Sequence, residues 1–154
     1  MKKLALAALL GLCTLPALAE VTVAEAWVRA TVPAQKATGA FMHLKSDADA
    51  RLVSAASPVA GVVEIHEMFM DKDVMKMSPI PGLELPAGQD VELKPGGYHV
   101  MLMDLKATLP KDSTIPLTLT FKNAKGEQSQ VELKVPVATT APGAAVGAPA
   151  AHKH

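Results

Sequence analysis

Leu93-Lys94-Pro95-Gly96-Gly97-Tyr98-His99-Val100-Met101-Leu102-Met103-Asp104-Leu105 begins as a turn and continues as a strand. Pro95 presets its own φ, and Gly96 and Gly97 accept backbone angles that other residues resist. From Tyr98 the chain alternates. Side chains of a strand point to opposite faces in turn, so Tyr98, Val100 and Leu102 share one face, and His99, Met101 and Met103 share the other. A slip of one residue would exchange those faces, so the Pro-Gly-Gly turn also sets which face carries His99.

Two further segments repeat this division. In Glu64-Ile65-His66-Glu67-Met68-Phe69-Met70, Ile65 and Phe69 join Val63 on one face, with Glu67 as the odd member, and His66, Met68 and Met70 take the other. In Val74-Met75-Lys76-Met77, Met75 and Met77 share a face. Six of the eight methionines lie in these three segments. The ordinary apolar side chains already supply a core side. The histidines and methionines gather on the side where a core does not need them.

Outward from there, the chain reads as short strands between turn signals. Candidates are residues 21–30, 39–45, 51–55, 61–70, 73–78, 91–93, 98–105, 115–122 and 128–135. Turns are marked by Ser57-Pro58, Pro81-Gly82, Pro110-Lys111-Asp112 and Asn123 to Gly126. Leu117-Thr118-Leu119-Thr120-Phe121 alternates cleanly, with one apolar face. Many short strands at even spacing predict an all-β antiparallel sandwich or barrel.

The ends differ from this middle. Lys2 and Lys3, the apolar run Leu4 to Leu15, and Ala17-Leu18-Ala19 read as a secretory signal over residues 1–19, cut near Ala19/Glu20. The run is too short for a membrane span, and the mature chain is expected to have no stable membrane insertion. Leu12 stands where a lipoprotein signal ending at Cys13 would want a small residue, so cleavage at Ala19 is the preferred reading. The β domain then occupies residues 20–137. Residues 138–154, rich in Ala, Pro and Gly and ending His152-Lys153-His154, are expected to form a flexible, disordered tail.

Removing residues 1–19 takes two lysines and no acid, leaving 13 basic against 15 acidic side chains. Steering by charge should be weak. With 3% aromatic residues and no basic patch, nothing offers a surface for nucleic acid. The same cut removes Cys13, the one cysteine. The mature chain would have neither thiolate nor disulfide, which excludes a cysteine-ligated blue-copper centre and disfavours structural zinc. Calcium and magnesium want oxygen ligands, which are scarce on the His/Met face. Thioethers and imidazoles together select a soft ion, Cu(I). No nucleophile–base pair, paired-acid constellation or cofactor loop marks an enzyme.

The spacing His66-x10-Met77-x21-His99-x-Met101 resembles the periplasmic copper chaperone family PCu(A)C. Ala26-Trp27-Val28-Arg29, Leu93 to Met103 and Ile115 to Phe121 resemble the same family, and the likeness covers most of Val21 to Val137. The resemblance implies a cupredoxin-like Greek-key β-sandwich or barrel. It implies Cu(I) held by His66, Met77, His99 and Met101. It also implies a periplasmic location and delivery of copper to the CuA-bearing subunit of cytochrome c oxidase, directly or through a Sco-type thiol protein. Some relatives carry His- and Met-rich C-terminal extensions that bind Cu(II), which makes His152 and His154 candidates for a second site. Met68 and Met103 are further candidate donors.

Other residues read as structural. Met70 and Met75 fit packing or an apolar rim as well as a metal. His43 has no partner at ligand spacing. Trp27 reads as a buried ring and Arg29 as an exposed or paired cation. Glu67 reads as a solvated acid or as an acceptor orienting an imidazole. Two other functions fit the same sequence: a copper buffer or resistance protein without a dedicated recipient, and a structural secreted sandwich with incidental methionines.

Overall fold

A computed structural model describes residues 18–143. Most of residues 1–19, expected to be a signal, and the His-Lys-His end lie outside that range.

All ten regular elements among the described residues are strands: β1 Val21–Arg29, β2 Ala37–Ser46, β3 Ala50–Ala56, β4 Ala60–Asp71, β5 Val74–Pro79, β6 Leu83–Leu85, β7 Asp90–Leu93, β8 His99–Leu105, β9 Thr114–Asn123 and β10 Gln128–Ala138. Their hydrogen-bonded order is β5-β4-β8-β2-β1-β10-β9-β3-β6, with β7 also on β2. Only β1 and β10 pair in parallel, through Val28 with Val137 and Arg29 with Ala138. This is a cupredoxin-like β fold.

One buried cluster joins Ile65, Val100, Leu102 and Leu44 with Leu52, Leu85, Leu117, Leu119 and Phe121. Alternation supplies it: Ile115, Leu117, Leu119 and Phe121 of β9 all face inward. Full burial of each such side chain contributes about 1.5–3 kcal/mol. The inward pairs Val63–Leu102 and Ile65–Val100 therefore fix the register of β4 on β8.

Three sequence expectations need correction. β6 is a strand that the sequence conceals, since Leu83-Glu84-Leu85 is short and lies between Pro81 and Pro86. Phe69 and Tyr98, assigned to the core side, are exposed. Phe69 lies in the part of β4 that runs past β8 and pairs only with β5, where no second layer covers it. Tyr98 precedes β8, in the loop that enters it.

That loop is more than a turn. Met42 of β2 pairs with Leu93, and Ala40 pairs with Val100. Residues 94–99 thus leave the line of a strand that otherwise continues along β2, and Lys94 N–H to Tyr98 O (2.9 Å) closes the excursion. Gly96, at φ +85°, supplies the left-handed angle it needs.

Candidate metal centre

Residues opposite one another in an antiparallel pair point to the same face. His66 pairs with His99 and Glu64 with Met101, across β4 and β8. Met68 pairs with Met77 across β4 and β5. The four residues at the PCu(A)C spacing therefore lie on one face of the sheet, turned away from the core.

The imidazoles are nevertheless buried, His66 to 6% exposure and His99 to 5%. Their ring centroids are 5.7 Å apart. Phe41 stands 6.3 Å from His99 and is itself packed 4.8 Å from the buried Trp27. Arg29 lies over Phe41 at 5.6 Å, the paired-cation reading in the form of a cation–π contact. Gly39 leaves room for that ring, since a Cβ there would lie 2.7 Å from Phe41 Cζ. A pocket of about 250 Å³ opens here, lined by Met68, Met77, His99 and Met101 together with Phe41, Pro95 and Gly96.

Hydrogen bonds assign the nitrogens. His99 Nδ1–H donates to the Gly97 carbonyl at 3.1 Å, so Nε2 carries the lone pair, and it faces Met77 Sδ at 3.2 Å. Two bare donors at that separation have no hydrogen bond to offer each other. They can share an ion, since metal–nitrogen and metal–sulfur bonds run about 2.0 and about 2.3 Å. His66 Nε2 is 2.8 Å from Glu64 Oε2 and donates its proton there. Its Nδ1 is buried without a hydrogen-bond partner. A buried unsatisfied nitrogen costs about 1–3 kcal/mol, and a bound ion would relieve it. Each ring is thus anchored through its N–H, one by a carboxylate and one by a carbonyl, as metal-binding histidines usually are.

Burial lowers the pKa of His99 from its ordinary 6.5. The bond to Gly97 opposes this, and the neighbouring His66 adds to the lowering. The ring is therefore kept neutral and able to donate.

Met68 lines the pocket, whereas Met103 shares the face but sits one rung farther along, opposite Val62, and does not line it. Met70 and Met75 pair with each other beyond Met68 and Met77. Glu67 pairs with Ser78 on the other face, so the acid that holds His66 is Glu64. The i, i+2 spacing of Glu64 and His66 is the signal that identifies it. His43 lies elsewhere, its Nδ1 2.9 Å from Asp90. His152 and His154 are outside the described residues.

Residues 21–137 match the LpqE-like lipoprotein family. The chain belongs to that family. Solved structures of PCuAC domains share its fold. The apo PCuAC domain from PmoF1 is 23% identical, with TM-score 0.63, over 82% of this chain and 98% of that one. The solution structure of CuI-DR1885 from Deinococcus radiodurans is 32% identical, with TM-score 0.54, over 82% of this chain and 80% of that one. A lipoprotein-named relative from Leifsonia xyli is 35% identical over 74% of this chain and 69% of its own. Among the described residues of this PCuAC chain, no helix is long and apolar enough to cross a membrane.

Proposed function

We propose that this protein is an exported copper chaperone that binds Cu(I) through His66, Met77, His99 and Met101 and passes it to another protein. One observation carries the reading: two opposed, buried imidazoles are each tied back through an N–H, which leaves His99 Nε2 facing the Met77 sulfur and His66 Nδ1 without a hydrogen-bond partner. Neutral soft donors of this kind prefer Cu(I) to hard cations. DR1885, at 32% identity, has a solved Cu(I) form. Export accords with the lipoprotein name of the Leifsonia relative, while cleavage near Ala19/Glu20 and a periplasmic location rest on the signal-like pattern of residues 1–19.

Transfer goes by ligand exchange. Met77 lies on edge strand β5 and is half exposed, while the imidazoles are covered. An incoming thiolate meets the Met77 side of the ion first. The Cu–sulfur bond to Met77 breaks as one to the thiolate forms, before the Cu–nitrogen bonds to the imidazoles are exchanged, with no change in oxidation state. The recipient in this reading is the CuA centre of cytochrome c oxidase, directly or through a Sco-type thiol protein. His152 and His154 would capture Cu(II) as a separate step, which truncation after Gly143 tests.

The deciding experiment is anaerobic Cu(I) titration of residues 20–154 against a Cu(I) chelator, followed by mixing with an apo CuA domain. One tightly held equivalent that moves to the CuA domain is expected. Retention without transfer would favour a copper buffer, and no retention would leave a structural sandwich.

A further inference from the structure

Past His66 the β4–β5 hairpin extends beyond β8, and its two faces differ in chemistry. One carries Glu67 with Ser78, Phe69 with Lys76, and Asp71 with Val74. Lys76 and Asp71 are ion-paired there. The other carries Met68 with Met77 and Met70 with Met75, four thioethers in two rungs. Met70 is 62% exposed and Met75 47%, so packing does not account for them.

We propose that Met70 and Met75 form an outer bis-thioether Cu(I) site, a receiving station for the pocket. Directly opposed strand residues have Cβ atoms about 4.5–5.5 Å apart. Methionine is long and unbranched, so both sulfurs can reach one ion. Past His66 the opposed pairs on this face are both methionine pairs, and their thioethers select a soft ion. The next rung, Met68 and Met77, lies about 7 Å inward, two residues along the strand. Met77 in turn faces His99 Nε2 at 3.2 Å. Inward movement is ligand exchange: a bond from copper to Met70 or Met75 sulfur breaks as one to Met68 or Met77 forms, and no proton or electron moves. Two thioethers without an imidazole bind more weakly than the pocket, which gives the ladder its direction. The direction rests on the proposed function; the outer site itself does not.

The test uses residues 20–154 labelled with 13C at the methionine methyls and titrated anaerobically with Cu(I). The first equivalent is expected to move the Met77 and Met101 signals, and further Cu(I) those of Met70 and Met75. In a Met70→Leu, Met75→Leu double variant the second step should disappear. Tight binding and the thermal midpoint should be unchanged, while loading from a Cu(I)–chelator complex should slow. Met70 and Met75 signals that stay fixed in excess Cu(I), or equal loading rates in the variant and the parent, would overturn the proposal. If Met70 and Met75 respond while Met77, Met101 and the imidazoles do not, the outer site stands and the pocket reading falls.

Discussion

His66 and His99 stand directly opposite one another across β4 and β8, yet they leave different nitrogens free. Glu64 holds Nε2 of the first, and the Gly97 carbonyl holds Nδ1 of the second. Two identical side chains in one antiparallel pair are thus set as opposite tautomers by what lies behind them. Cu(I) binding is expected to perturb Nδ1 of His66 and Nε2 of His99 in 15N-edited spectra. Perturbation of the same nitrogen on both rings would contradict the assignment.

Glu64 is the positioning residue that this arrangement exposes. Glu64→Ala should weaken Cu(I) binding by about 10–100-fold, the usual cost of losing a carboxylate behind a metal-binding histidine. Glu64→Gln keeps a carbonyl acceptor for the ring proton and should recover most of the loss. Equal affinities for the parent, Ala and Gln forms in chelator competition would remove Glu64 from the site.

Met77→Leu and Met101→Leu separate folding from binding. Volume is nearly conserved, so each should cost less than about 1.5 kcal/mol of stability, and the half-exposed Met77 less than Met101. Both should lose Cu(I) to a competing chelator more readily than the parent. A variant that binds as tightly as the parent would take its methionine out of the ligand set.

His99 and His43 give pH dependences of opposite sign. His99 is lowered, chiefly by burial, so its folded state prefers the neutral ring. Its contribution to stability is complete above pH 6.5 and is lost as pH falls from there through the folded value. Proton competition for copper at His99 likewise sets in below pH 6.5. His43 is raised, chiefly by its hydrogen bond to Asp90, with the charges of Asp90, Glu92 and Glu25 adding and burial opposing. Its contribution is complete below pH 6.5 and fades as pH rises through the folded value. Urea midpoints of the apo protein between pH 5 and pH 8 should show His99→Gln removing the acid-side loss and His43→Gln removing the alkaline-side one. Profiles parallel to the parent's would refute both.

Gly39→Ala tests the packing behind the pocket. The new Cβ would lie 2.7 Å from Phe41 Cζ, on a ring confined by Trp27, Arg29 and His99. Overpacking of this kind costs about 1–3 kcal/mol. Chemical shifts of the His99 ring should move with it, even without copper. An unchanged Tm and an unchanged His99 spectrum would mean that the ring has room to spare.

Period-two alternation made the His/Met face legible, because His99, Met101 and the inward Val100 and Leu102 obey it throughout. The same rule misplaced Phe69. Alternation tells which side of a strand a residue takes, but not whether another layer covers that side, and β4 outruns β8 at that point. Register decided the rest. That His66 meets His99, and that Met70 meets Met75, depends on where β4, β5 and β8 align, which no single strand encodes. Glu64 lay in plain view at i, i+2 from His66. Its neighbour Glu67 stands an odd number of residues from the histidine and so faces away, paired with Ser78.

The Gly97 oxygen accepts from two sources, Met68 N–H at 3.2 Å and His99 Nδ1–H at 3.1 Å. A single atom thereby fastens the 94–98 excursion both to the Met-bearing hairpin and to an imidazole. Lifting that excursion and freeing the His99 ring to rotate are one event. A partner that pries up the loop would unlatch the His99 nitrogen proposed to hold copper without touching it.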